Sequence, residues 1–199
     1  MKEAACSDDI NARIARRVRS LRAALDLSLE ALAARSDVSR SMLSLVERGE
    51  SSATAVVLEK IAAGLGVSLA TLFEDERAAP SPLSRRAGRI SWRDPQSGYL
   101  RSNLSPSQFP APLQLVEVEL PAGAQVAYES AARDSALHQQ VWVLEGSVAI
   151  TADGVTHELG SGDCLAMRLD APTAFRNRTR KRVRYLVAIV NEASRTARR

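Results

Sequence analysis

The chain has 199 residues, 45% of them hydrophobic and 25% charged, enough for one large domain or two small ones with genuine cores. Its formal net charge of +4 is a mild excess that permits an acidic partner without naming one. No apolar run approaches the roughly 18 residues that a membrane span needs, and Cys6 and Cys164 are too distant in sequence for a metal knuckle or a disulfide framework.

The N-terminal MKEAACSDDINARIARR lacks the apolar centre of a secretory signal, so a cytoplasmic, nucleoid-associated protein is expected. From about Asp9 the chain is rich in Ala and Leu. Ile10, Ile14, Val18, Leu21 and Leu25 form a stripe at helical spacing, with Arg13, Arg16, Arg17, Arg19 and Arg22 on the other faces. Shorter helical pieces follow over Ser28–Arg35, Ser39–Glu47, Thr54–Leu65 and Ser68–Phe73. Ser28 and Ser39 stand where N-caps belong, while Gly49 and Gly66 stand where helices stop. Acids such as Asp26, Glu30, Glu47, Glu50 and Glu59 bring this region close to neutrality, so charge alone does not argue for nucleic acid.

Near residue 75 the pattern dissolves into the polar, proline-bearing EDERAAPSPL, and beyond it the period changes from helical to two. Val116, Val118 and Leu120 alternate with Glu117 and Glu119. Further strands are predicted at Val141–Leu144, Val148–Thr151, Val155–Leu159, Cys164–Met167 and Val183–Val190, separated by Glu145-Gly146, Asp153-Gly154, Gly160–Asp163 and Asp170–Pro172. Many short strands at this spacing mean a sandwich or small barrel.

The most informative segment is LSLEALAARSDVSRSMLSLVERGESS, from Leu27 to Ser52. Leu29, Leu32 and Ala33 can bury one face of the second helix, and Val38, Leu43 and Val46 the inner face of the third. A short turn at Ser36-Asp37 joins them, as a helix-turn-helix requires. Arg40, Ser41, Ser44, Leu45 and Arg48 are then left facing outward. Together with LEKIAAGLGVSLATLF, this segment resembles the Xre family, the lambda and 434 repressor and Cro type of DNA-binding domain, over roughly Ile10–Phe73.

The resemblance implies five helices, with the third entering the major groove. By position it implies that Ser39, Arg40, Ser41 and Leu45 meet bases or adjoining phosphates, that Arg48 meets the backbone, and that Ser28 opens a helix whose N-terminus meets a phosphate. Ser44 completes the outward set. Arg40 has the fork to take guanine O6 and N7, and Leu45 the surface for a thymine methyl. The resemblance also implies a buried ion pair between Arg22 and Glu47. Leu29 replaces a Gln common in the family, and Asp26 and Asp37 replace glycines at helix ends that favour a left-handed residue.

The segment Leu137–Asn177, with WVLEG, a hairpin, LGSGDCLAM, a proline and F-R-N, resembles a cupin, a double-sheet barrel, over roughly Leu113–Ile189. Enzymatic cupins hold a divalent metal with two His, a Glu and a third His. In this alignment Gln139 stands about where the Glu belongs, Thr173 where the last His belongs, and Arg133 and Ser135 near the paired histidines. Only His138 and His157 exist in the chain, so no metal and no cofactor are expected. A barrel mouth lined by His138, Gln140, Trp142, Arg168 and Phe175 is the candidate ligand site, with Arg168 the outlier as a charge expected in a buried strand.

The sequence therefore predicts an α+β multidomain chain. Its parts are a flexible arm over 1–8, a five-helix lambda-repressor-like domain over 9–74, a linker over 75–86, a cupin-like jelly-roll over 87–191 and a flexible basic tail over 192–199. The expected function is a non-enzymatic, one-component transcriptional regulator that binds double-stranded operator DNA as a homodimer. Its barrel is expected to sense an unidentified small-molecule effector, to pair the subunits, or both, with no membrane involved. The alternatives are a metal-dependent cupin enzyme, an oxygenase or isomerase, carrying a DNA-binding head, and a constitutive DNA-binding protein with a purely structural barrel.

Overall fold

Ile10, Ile14 and Val18 are all buried, and this stripe fixes one face of helix α1 (Lys2–Ala24) against the rest of an N-terminal helical head. The computed structural model describes residues 2–76, 79–129 and 137–191. Helix α1 begins at Lys2 rather than near Asp9, so the backbone expected as an arm is helical; Lys, Glu and Ala at its start are strong helix formers. The expected basic tail, 192–199, lies outside the described residues.

Helices α2 (Leu29–Ser36), α3 (Arg40–Arg48) and α4 (Ala55–Gly64) follow. Ser28 Oγ accepts from the Ala31 N–H at 3.0 Å, and Ser39 Oγ accepts from Met42 N–H at 3.2 Å. Each satisfies a backbone donor that the helix itself leaves open. Asp26 and Asp37 both sit at φ 52°, the left-handed conformation their positions demand. Gly49, at φ 73°, closes α3 with its N–H on the carbonyls of Leu45 and Val46. The expected fifth helix is a 3-10 turn, Leu69–Phe73, capped by Ser68. Five residues between a cap and the extended Glu74 leave room only for this tighter form. Among the described residues the head thus has four α-helices and one 3-10 turn.

Helices α2 and α4 cross closely at Gly64, where a Cβ would come within 2.8 Å of Ser36 Cβ. Ser36 is buried there and its Oγ donates to the Leu32 carbonyl at 2.7 Å.

The C-terminal part is two facing antiparallel sheets. Strands β1 (Ser91–Arg93), β2 (Leu100–Asn103), β3 (Leu113–Leu120), β10 (Val183–Asn191), β5 (Leu137–Glu145) and β8 (Cys164–Arg168) form one sheet in that spatial order. Strands β4 (Gln125–Tyr128), β9 (Thr173–Arg176), β6 (Ser147–Ala152) and β7 (Val155–Gly160) form the other. Alternating residues point inward: Val116, Val118 and Leu120 on β3, Val141 and Val143 on β5, and Tyr185, Val187 and Ile189 on β10 are all buried. The short strands β1, β2, β4 and β9 escape the sequence pattern, being only three or four residues long. Asn177 is wholly buried; its Nδ2 donates to the carbonyls of Leu120, Pro121 and Lys181 at 3.1, 3.0 and 2.7 Å, tying the end of β9 to those of β3 and β10.

The head and the barrel share one hydrophobic core. Phe73, almost wholly buried, packs on Trp92 with ring centroids 5.4 Å apart, and Trp92 meets Tyr99 edge-on at 5.9 Å. Polar contacts cross the same seam. The Ala55 N–H at the start of α4 donates to Asp94 Oδ1 at 2.8 Å, Asn103 Nδ2 donates to the Ala70 carbonyl at 3.0 Å, and Ser68 Oγ donates to Gln114 Oε1. Lys60 on α4 pairs with Glu129 at 2.7 Å. The expected linker therefore joins two bodies that are already docked.

Candidate nucleic-acid interface and barrel cavity

The amphipathic pattern of α3 decides what it offers to a partner. Leu43, Val46 and Glu47 are buried. On the other side Leu29 of α2 joins Arg40, Ser41, Ser44, Leu45 and Arg48 of α3 around one groove. Ser28 and Ser39, both exposed, mark the two helix N-termini beside it. All seven residues expected from sequence to face DNA thus lie on the outer side of the α2–α3 unit, with backbone donors and the positive ends of two helix dipoles at its edge.

The charges on this face differ in their freedom. Arg40 is exposed and has neither a hydrogen bond nor an ion pair among the described residues. Arg48 is held within its own helix end: Nη1 donates to Ser44 Oγ and Nη2 pairs with Glu50 Oε2 at 2.8 Å. That hydrogen bond lowers the Glu50 carboxyl below its ordinary range and raises the Arg48 guanidinium further.

Other head arginines are committed to internal contacts. Arg22 grips Glu47 with both ends of its fork, Nε to Oε1 at 2.6 Å and Nη2 to Oε2 at 2.9 Å, and Glu47 is 6% exposed. The implied ion pair is present and raises the Arg22 pKa, chiefly through this hydrogen bond. Arg17 pairs with Glu74 and Glu76 at 3.1 and 2.6 Å, and Arg13 with Asp75 at 3.3 Å. The acidic run Glu74–Glu76 thereby anchors to α1. Glu74 is largely buried, and desolvation outweighs Arg17 in raising its carboxyl pKa.

Inside the barrel lies a cavity of about 60 Å³. Its walls include Tyr99 from the turn before β2, Arg101, Tyr128, Gln139, Thr173, Phe175 and Tyr185 from the strands, and Glu59, Ser68 and Leu69 from the head. Of the five residues expected at a ligand site, only Phe175 is there. His138, Gln140 and Trp142 alternate with the buried Leu137, Gln139, Val141 and Val143 on β5, so they face outward. Trp142 is 49% exposed. Arg168 lies on β8 opposite His138 and shares that outer face. It is exposed and pairs with Asp170 at 2.8 Å, so the expectation of a buried strand charge is corrected. A one-residue choice of register separates the two faces of a strand. Here the V-x-V of Val141 and Val143 carries the signal that selects the odd-numbered residues.

Gln139 and Thr173, the counterparts of a cupin's ligating Glu and final His, do line the cavity. An amide and a hydroxyl are poor donors for a resident divalent cation. Arg133 and Ser135 lie outside the described residues. The donor set does not fit a metal, and among the described residues no three His, Cys, Asp or Glu side chains are grouped to hold one. Sequence reasoning missed Arg101, because β2 is short and Leu100-Arg101-Ser102-Asn103 reads as a polar loop.

The model of the HTH_3 helix-turn-helix family matches residues 18–72. The control protein C.MunI of a Mycoplasma species is 42% identical over 69 residues, covering 34% of this chain and 93% of that protein. The transcriptional regulator SutR of Escherichia coli K12 is 29% identical over 164 residues, covering 80% and 84%. The crystal structure of an HTH_3 family transcriptional regulator from Vibrio cholerae superposes with a TM-score of 0.74 at 28% identity, over 92% of this chain and 98% of that one. With the α2–α3 unit and its caps, the chain belongs to the Xre-type helix-turn-helix family of DNA-binding transcriptional regulators.

Proposed function

We propose that the chain is a one-component, non-enzymatic regulator that reads operator DNA as a homodimer through α3, and that its metal-free barrel senses a small molecule. Ser28, Ser39, Arg40, Ser41, Ser44, Leu45 and Arg48 form the reading surface. Arg40 supplies the strongest base contact and the serines position the phosphates. One such head is lean, with a single unencumbered arginine and an apolar Leu29 beside it, so two heads are needed for useful discrimination.

The observation that carries the sensing role is the shared wall: Glu59, Ser68 and Leu69 of the head close a cavity whose other walls are barrel strands. An occupant touches both bodies and so interacts differently with each arrangement of head on barrel, which is what effector control requires. A cupin enzyme draws no support from the Gln139 and Thr173 donor set.

Selection of bound duplexes from a random library by the purified full chain tests this reading, followed by footprinting. Two related half-sites about 34 Å, or one turn, apart are expected. A single unrepeated site, occupied by one copy, removes the dimer; no enriched sequence at all removes the reading head.

A further inference from the structure

Arg101 is the residue of the barrel whose position the fold does not explain. It is 7% exposed, and its Nε and Nη2 are buried without any hydrogen-bond partner among the described residues. Its Cζ lies 6.0 Å from the Phe73 ring centroid, a contact that steadies the guanidinium from one face. A guanidinium does not give up its proton in a protein. Burying a guanidinium without a partner among the described residues is costly.

The neighbouring groups do not neutralise it. Burial holds the Tyr128 and Tyr185 hydroxyls well above the ordinary phenol range, so they remain neutral, and the Tyr128 hydroxyl donates to that of Tyr99 at 3.4 Å. Two carboxylates reach the cavity wall. Glu129 is held by Lys60 at 2.7 Å, and Glu59 has an interaction of its own. Ser68, Gln139 and Thr173 add neutral polar groups, and the other walls, including Val126, Phe175, Val187 and Ile189, are apolar.

On the reading of the barrel as a sensor, we propose that the cavity binds a small monocarboxylic acid, its carboxylate against the Arg101 guanidinium in the cavity wall and its short chain against Val126, Phe175 and Val187. A planar guanidinium is the cationic side chain best matched to a planar carboxylate. About 60 Å³ is room for roughly four to six water-sized groups at the 10–15 Å³ that one water needs. An acid of a few carbons fits. Ser68 and Leu69 at the wall place the bound acid against the head as well.

The test is calorimetric titration of the full chain with the straight-chain acids from acetate to hexanoate, with pentanamide and inorganic phosphate as controls. Saturable binding of one or more acids is expected, and none of pentanamide or phosphate. Arg101→Leu should weaken acid binding by about tenfold to a hundredfold, as loss of a charge-assisted pair does. The same variant without ligand should unfold at the same temperature as wild type or higher, since it removes an unpaired buried charge, and this separates loss of the site from loss of the fold. Equal binding of pentanoate and pentanamide, retained acid binding in Arg101→Leu, or no binding of any acid overturns the proposal. Affinity for the selected duplex, measured with and without acid, separates this from the sensing role. Acid bound through Arg101 with unchanged duplex affinity leaves the site and ends the sensor; an effector of another class that changes duplex affinity leaves the sensor and ends the acid.

Discussion

Asp94, in the turn after β1, accepts the first backbone N–H of α4, that of Ala55, at 2.8 Å in a site where Asp94 is 3% exposed. The barrel thus completes the N-terminus of a head helix, adding to the Thr54 cap on Val57. A carboxylate at that end of a helix also meets the positive end of its dipole. Its other oxygen accepts from the Ser97 N–H at 2.7 Å, so the same side chain shapes its own turn.

Asp94→Ala should therefore loosen head from barrel. A loss of about 1–3 kcal/mol is expected, as for a buried charge-assisted bond left open. Urea unfolding of Trp142→Phe proteins, followed by fluorescence of the remaining Trp92 in the seam, reads it; an unchanged midpoint would show that the apolar contacts alone hold the two bodies.

Gly64→Ala sets two effects against each other. Helix propensity favours Ala by about 1 kcal/mol, but the new Cβ would stand 2.8 Å from Ser36 Cβ, and overpacking costs about 1–3 kcal/mol. A net loss is expected, relieved by adding Ser36→Gly. A thermal midpoint raised by Gly64→Ala alone would mean that α2 and α4 move apart freely.

Arg40→Ala should reduce discrimination between the selected duplex and unrelated DNA by about 1–3 kcal/mol, while thermal stability stays unchanged because Arg40 makes no hydrogen bond or ion pair among the described residues. Competition binding at fixed salt measures it, and equal discrimination by both proteins removes Arg40 from the reading surface.

Glu50→Gln should release Arg48 from its pair and let it meet a phosphate. Tighter binding and a log–log salt slope steeper by about 0.9 are expected for one added contact. The sign with pH follows from the lowered Glu50 pKa: the pair is intact at and above the ordinary carboxylate pKa and is lost only as pH falls through the depressed one. Between about pH 6 and 8 the wild type should therefore show no change in affinity from this source. Binding isotherms across salt and pH check both statements.

Arg168→Leu should leave any response to an acid unchanged, since Arg168 is outside the cavity and pairs with Asp170 on the surface. A lost response would place the binding site on the outer face of β5 and β8 instead.

The head was readable because its signals are local. Ser28, Ser39, Gly49 and the spacing of Leu43 and Val46 each act within a few residues, and all point to the same helices. The barrel's longer strands were readable by alternation, but the inner face was not chosen correctly, since His138, Gln140 and Trp142 look more chemical than Gln139 does. Arg101 and Asp94 were invisible for a different reason. Each matters through a partner or a gap far away in sequence, Asp94 with Ala55 and Arg101 with a cavity between β2, β4, β5 and β10, and no local pattern records such distances. The fifth helix failed on length, a five-residue turn being too short for α-geometry to establish itself.

Phe73 has a consequence for how such chains can be recombined. Its ring is the last of the head's core and also the floor on which Trp92 and Arg101 of the barrel rest. A fully buried side chain of this kind is worth roughly 1.5–3 kcal/mol. Severing the chain between the two halves would turn that ring outward on one fragment and strip its cover from Trp92 on the other. Reading heads are therefore not interchangeable cartridges here. A chimaera that exchanges the operator specificity of this chain should keep Phe73 and the start of α4 with the barrel, and replace only the surface of α2 and α3.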